Sequence, residues 1–242
     1  MENQKSLMTD EVKKMAMELG AEMVGVASMD RFANAPLIHS PQGLMPTAKS
    51  VIVVGVSWLD ASIELTEKEL SEHFYNPGDV CEQETNMNHR LHTIVFRLAK
   101  ELERQGYQSL PLAASTHWRW RPYKSMKEPF APPLAHRYAA VAAGLGEIGW
   151  HESFISPEFG PRQRVTSLIT EAPLIPDPLY NGTPLCNKCM KCVIACPYDR
   201  FRKEVDGTRE IEIGENLMQV LCGVGLLIGI GAYLYFLYKM AE

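Results

Sequence analysis

Four of the chain's six cysteines fall within eleven residues, as Cys186, Cys189, Cys192 and Cys196, and Pro197 follows directly. This spacing, C-x2-C-x2-C-x3-C-P, limits the local fold more than any other feature. Three thiolates, each separated by two residues, wrap one cubane because the loop sends successive Sγ atoms to three of its corners. Zinc is the competing reading, but zinc sites prefer two C-x2-C pairs divided by a longer spacer and often include His; no His follows His151. So dense a run is not a disulfide framework and belongs in a reducing compartment. It predicts a [4Fe–4S] cluster.

Three cysteines compete for the fourth ligand position. Cys222 lies in an apolar stretch, where a charged cluster is disfavoured by desolvation. Cys81 sits among the carboxylates of Asp79 to Glu84, which oppose an anionic cluster. Cys196 is four residues after Cys192, which on a helical turn puts both on one face. In two-cluster ferredoxins this position serves the other cluster, yet six cysteines cannot supply the eight thiolates of two cubanes. Cys196 is the preferred ligand.

The rest of the chain alternates helical and strand patterns, which indicates an α/β (α+β) fold. Thr9 or Asp10 is positioned to cap a helix with the apolar face Val12, Met15, Ala16 and Leu19, closed by Gly20. Strands are expected at Met23–Ala27, at Ser50–Ser57, at Ser109–Ala113 and at Arg164–Thr170; the continuous β-branched run SVIVVGVS reads as a central strand covered on both faces. Met87, Leu91, Ile94, Val95, Leu98 and Leu102 recur at helical spacing up to Gly106. Pro77-Gly78 reads as a turn, and Leu134–Ala143 as an Ala-rich helix. Prolines 173, 176 and 178 mark a linker before the cysteines. The expected organisation is an α/β cofactor and substrate domain over 1–175, a ferredoxin-like module over 176–212 and a membrane anchor over 213–242.

The anchor rests on Leu217–Tyr238, twenty-two residues whose one strongly polar side chain is Gln219. About 20 apolar residues span a bilayer core as a helix, and Tyr233, Tyr235, Tyr238 and Lys239 suit the interface. A buried core helix is the alternative. The N-terminus shows no apolar export signal, so the expected location is the cytoplasmic face of the membrane. A net charge of −5 argues against a general polyanion partner.

Two further motifs admit more than one reading. Gly144-Leu145-Gly146-Glu147-Ile148-Gly149 matches G-x-G-x-x-G, but a dinucleotide fingerprint must follow a strand. Here it follows the helix-like LAHRYAAVAA, so a nicotinamide enzyme fails if a helix precedes Gly144. His117-Trp118-Arg119-Trp120-Arg121 could stack bases, line an anionic pocket or simply form a solvated loop. His136, Arg137, Glu147, His151 and Glu152 bracket the glycine turn as candidate pocket groups, with Tyr123 and Tyr138 as candidate proton donors.

The stretch AGLGEIGWHESFISPEFGPRQRVTSLITEAPL from Ala143, followed by the cysteine run, resembles epoxyqueuosine reductases and the related reductive dehalogenases. ELGAEMVGVAS, MPTAKSVIVVGVS and ELERQGYQSLPL in the N-terminal half are similar too, so the resemblance covers about residues 10–200. It implies a nitroreductase-like cobalamin-binding domain fused to the iron–sulfur module, a base-off cobalamin beside the cluster, and a reductive cleavage or elimination. The implied corrinoid site draws on Gly144, Gly146, Gly149, His151, Gly160, Arg162 and Arg164, since glycines admit a flat macrocycle and arginines hold its polar rim. The chain departs from the family in lacking a second cysteine motif. It also has Phe130 where the reductases carry an Asp proton donor, with Glu128 two residues earlier. Glu128 and Tyr138 are therefore the candidate catalytic acids. Expected partners are a redox donor protein or membrane electron carrier and a small-molecule substrate; the acidic balance argues against nucleic acid. The alternative from another class is a membrane-anchored electron-transfer protein without catalysis.

Overall fold

The computed structural model describes residues 2–61, 63, 77–115, 132–194, 203–205 and 208–210. In chain order its main elements are α1 (Glu2–Glu18), β1 (Met23–Ser28), α2 (Pro41–Leu44), β2 (Ser50–Ser57), α3 (Pro77–Arg104), β3 (Ser109–Pro111) and α4 (His136–Ala142). They continue as β4 (Glu147–Ile148), β5 (Phe154–Ile155), β6 (Gln163–Thr170), α5 (Lys191–Ile194), β7 (Lys203–Val205) and β8 (Thr208–Glu210). The chain divides into two compact units. One holds Met1–Trp58, Thr85–Gly149 and Ser153–Leu185, the other Leu59–Glu84, Trp150–Glu152 and Cys186–Glu242.

The first unit is built on a sheet of order β1-β2-β6-β3 in which every neighbouring pair is antiparallel. β2 is central, as its unbroken apolar run requires, and it is buried from Ser50 through Val56. Strand side chains alternate between faces, and β2 sorts accordingly. Ile52, Val54 and Val56 join Val26 and Leu168 against Val12 and Ala16 of α1 and Leu91, Ile94, Leu98 and Leu102 of α3. Val51 and Val53 join Met23, Ala27 and Ile169 against Ala139 and Ala140 of α4. Helices thus cover both faces of the sheet, and β3, a short strand ending in Pro111, forms one edge, where a proline is tolerated.

Three helices end in the same way. Gly20, Gly106 and Gly144 have φ of 98°, 88° and 75°. The following residues, Ala21, Tyr107 and Leu145, donate back to the carbonyls of Ala16, Leu102 and Ala140 at 3.0 Å. This is the Schellman arrangement, which satisfies the carbonyls left open at a helix C-terminus. Arg31 adds a donor to the last turn of α4 through Nη1 and the Ala142 carbonyl, 2.5 Å apart.

Several local expectations are corrected. α1 begins at Glu2, so Thr9 is no cap; its buried hydroxyl donates to the Lys5 carbonyl at 2.8 Å and accepts from Ile175 N–H at 2.9 Å. Pro77-Gly78 opens α3 instead of forming a separate turn, since in the first helical turn a backbone N–H has no intrahelical acceptor and a proline forfeits nothing by lacking one. The proline-rich segment before the cysteines belongs to the first unit. There Asp177 N–H donates to Val26 O at 2.9 Å, and its Oδ2 accepts from Val26 N–H at 2.8 Å. Among the described residues no helix is long and apolar enough to cross a membrane. The Leu217–Tyr238 segment lies outside the described residues, as do His117–Lys127, Glu128, Phe130, Cys196 and Cys222.

Candidate functional site

In the first unit a polar network forms where α3, α4 and β6 meet the backbone that follows β3. His136, the first residue of α4, is 9% exposed. Its Nε2 lies 2.8 Å from the Ala113 carbonyl and its Nδ1 lies 2.9 Å from the Ser167 hydroxyl on β6. A carbonyl only accepts, so Nε2 carries the proton and Nδ1 accepts from Ser167. Burial disfavours the imidazolium, and although the Ala113 carbonyl opposes the shift, the Arg164 and His92 charges add to it; the pKa falls to about 4. His136 is therefore neutral at physiological pH. One turn along the same network, His92 of α3 accepts the Ala114 N–H through Nε2 at 2.9 Å, and Arg164 Nε donates to Asn88.

An open cavity of about 560 Å³ borders this network, lined by His92, Thr93, Val95, Phe96, Pro111, Leu112 and Ala113. Phe96 is 57% exposed there. Asn88 and His92 were not singled out from the sequence. Their signal was a pair of polar residues four apart beside the apolar stripe of α3, which places both on one helix face.

The glycine turn is explained by packing. Helix α4 precedes Gly144 and strand β4 follows Gly146, which overturns the nicotinamide reading, because a dinucleotide loop joins a strand to a helix. A Cβ at Gly144 would lie 2.0 Å from the Pro178 carbonyl oxygen, and one at Gly146 would lie 2.0 Å from that of Ile155. The space in front of both glycines is filled by the chain's own backbone. Gly149 N–H donates to Ser153 O at 2.9 Å, closing the β4–β5 hairpin. Gly160, with φ of 58°, pairs with Ser156 and has open space where a Cβ would stand. Arg162 is exposed; its carbonyl accepts from Trp58 N–H at 2.9 Å. Tyr138 is 49% exposed, with the Arg137 guanidinium 5.1 Å from its ring centroid. Glu147 accepts the Leu185 N–H through Oε2 at 2.9 Å, immediately before the first cysteine of the run.

The second unit carries the cysteine loop. Cys186, Cys189 and Cys192 are free thiols, half-buried or exposed. Lys188 and Met190 take φ of 55° and 59°, a left-handed conformation uncommon outside glycine, and these two reversals curl the loop between the cysteines. Asn187 Oδ1 accepts the Cys189 N–H at 3.2 Å, and Trp150 N–H donates to Cys186 Sγ at 3.3 Å. The Lys188 ammonium lies 5.3 Å from the Trp150 ring centroid. Half-buried His151 belongs to this unit and not to that of the glycine turn. Among the described residues no three Cys, His, Asp or Glu side chains are gathered closely enough to hold a metal ion. The donor set itself, three unpaired thiols on one curled loop with an N–H already directed at sulfur, is the chemistry that an iron–sulfur cluster uses.

No protein-family profile matches the chain. A tetrachloroethene reductive dehalogenase of Sulfurospirillum multivorans is 47% identical over 60 residues, 24% of this chain and 12% of that protein. The epoxyqueuosine reductase of Synechococcus sp. (strain CC9605) is 28% identical over 170 residues, 70% of this chain and 46% of that protein. Among solved structures, a catabolic reductive dehalogenase in complex with 3-bromo-4-hydroxybenzoic acid superposes with a TM-score of 0.62 at 18% identity, covering 83% of this chain and 26% of that one. An epoxyqueuosine reductase bound to a tRNA-Tyr stem loop superposes with a TM-score of 0.54 at 17% identity, covering 81% and 53%. The chain thus spans less than half of that curated reductase and a small part of the dehalogenase. In sequence the chain resembles epoxyqueuosine reductases and reductive dehalogenases, and its mixed α/β fold resembles the solved structures of both.

Proposed function

We propose that this chain is an iron–sulfur reductase in which Cys186, Cys189, Cys192 and Cys196 hold a [4Fe–4S] cluster that serves a bound corrinoid in a reductive cleavage or elimination. The observation that carries the reading is the cysteine loop, with three free thiols and Trp150 N–H directed at Cys186 Sγ. The cluster would supply single electrons, and the corrinoid a low-potential metal centre. The chain's own contribution is to orient the first thiolate and to shape the cofactor surface. Of the residues named for the corrinoid, Gly160 has nothing within 4 Å of where a Cβ would stand, Arg162 is exposed, and Arg164 donates to Asn88. Gly144 and Gly146 support that surface indirectly, through the packing of the turn. Tyr138, half exposed, is the described candidate for proton delivery; Glu128 is the other candidate. Leu217–Tyr238 would tether the protein to the membrane, with the preceding residues on the cytoplasmic side and a redox protein or membrane carrier as donor.

Anaerobic purification in detergent, with iron, sulfide and corrinoid analysis, tests this reading. About four irons and four sulfides per chain are expected for one cubane, and added cobalamin should change its visible spectrum as the lower ligand is lost. A chain without cluster refutes the proposal. A chain with cluster that retains no corrinoid favours the second reading, a membrane-anchored electron-transfer protein. A neighbouring structure contains a tRNA stem loop, so an RNA hairpin belongs among the substrates assayed beside small organohalides, although the net charge of −5 counts against it.

A further inference from the structure

We propose that Lys188 and Trp150 act as a charge-positioning pair that raises the reduction potential of the cluster bound through Cys186; this rests on the iron–sulfur reading above. Reduction adds an electron to a cluster that is already anionic, so any positive charge or N–H dipole held near its sulfurs favours the reduced state. Trp150 supplies the dipole directly, through its N–H on Cys186 Sγ at 3.3 Å. The indole ring of the same residue supplies the second contribution, because the Lys188 ammonium rests 5.3 Å from its centroid. An unheld surface lysine would sweep through solvent, and its charge would be screened over about 8 Å at physiological ionic strength. A cation over an indole face keeps a preferred position.

The backbone supports the same arrangement. Lys188 adopts φ of 55°, a conformation that a lysine has no intrinsic reason to prefer. That local cost is borne at the residue whose side chain meets the Trp150 ring, and the turn is fastened next door by Asn187 Oδ1 on Cys189 N–H at 3.2 Å. Lys191, on the same loop, is exposed and opens α5. It carries the same charge without a ring beneath it among the described residues, and so serves as an internal control.

The test is an EPR-monitored potentiometric titration of the full-length protein, purified anaerobically in detergent and reconstituted with ferrous iron and sulfide. Lys188→Gln should move the midpoint to a more negative value with iron content unchanged, whereas Lys188→Arg should keep the wild-type midpoint. Trp150→Phe, which preserves a ring face and the backbone N–H, should also stay near wild type. Trp150→Leu should reproduce the Lys188→Gln shift, and the double variant should add nothing further. Lys191→Gln should shift the midpoint less than Lys188→Gln. An unchanged midpoint in Lys188→Gln, or an equal shift in Lys191→Gln, overturns the inference while leaving the cluster reading intact. A wild-type protein that assembles no four-iron cluster overturns the cluster reading itself, and iron and sulfide analysis separates that outcome. If Trp150→Leu does not assemble, the exposed-site variants Lys188→Gln, Lys188→Arg and Lys191→Gln decide the matter alone.

Discussion

Acidification should destabilise this fold in part through His136. Its pKa in the folded protein is about 4, against 6.5 for an ordinary histidine. Burial is the leading cause: the imidazolium would have to give up its hydration among Ala113, Ser167 and the neighbouring helix. Above pH 6.5 both folded and unfolded chains hold the ring neutral, and it contributes no pH dependence. Between pH 6.5 and 4 only the unfolded chain takes up the proton, so stability falls as pH falls. At 1.36 kcal/mol per pKa unit, the full loss is about 3 kcal/mol below pH 4, and about 2 kcal/mol of it has been lost by pH 5. The assay is urea unfolding of the wild type and of His136→Gln at pH 7, 6 and 5, monitored by circular dichroism. His136→Gln should be less stable at pH 7 by roughly 1–3 kcal/mol, because a buried acceptor and a buried donor lose their fitted partner. Its stability should nevertheless decline about 2 kcal/mol less than that of the wild type between pH 7 and 5, since other titrating groups are common to both. Parallel pH profiles for the two proteins, or an NMR titration of His136 with a midpoint near 6.5, would refute the argument.

Gly146→Ala should destabilise by about 2–4 kcal/mol in the same unfolding assay, because its Cβ would meet the Ile155 carbonyl oxygen at 2.0 Å. Gly106→Ala, with φ of 88° but nothing within 4 Å, should cost only about 1–2 kcal/mol of backbone strain; equal losses would remove the steric explanation. Asp177→Ala takes away the acceptor of Val26 N–H and the partner of Lys13, and a loss of about 1–3 kcal/mol in midpoint-derived stability is expected. Cys196→Ser should lower iron content or convert the EPR signal to a three-iron type; a full four-iron spectrum there, with its loss in Cys81→Ser or Cys222→Ser instead, would reassign the fourth ligand.

Local signals in the sequence determined a good deal. The β-branched run at 50–57 announced a strand buried on both faces, and β2 occupies that place between β1 and β6. The apolar stripe from Met87 to Leu102 and the glycines at 20, 106 and 144 marked helices and their ends, because periodicity and a left-handed cap are properties of a few adjacent residues. The cysteine spacing likewise motivates the cluster proposal without reference to the rest of the chain. Tertiary structure decided what depends on residues far apart. Thr9 looked like a cap until Ile175 N–H, 166 residues away, engaged its hydroxyl. At Gly146 the Ile155 carbonyl of the facing strand stands where a Cβ would be, so packing requires a glycine there. The antiparallel order β1-β2-β6-β3, the pairing of Arg164 with Asn88 and the burial of His136 between Ala113 and Ser167 all arise when separate segments meet. Periodicity encodes which face of an element is apolar, and only packing selects the partner that face will meet.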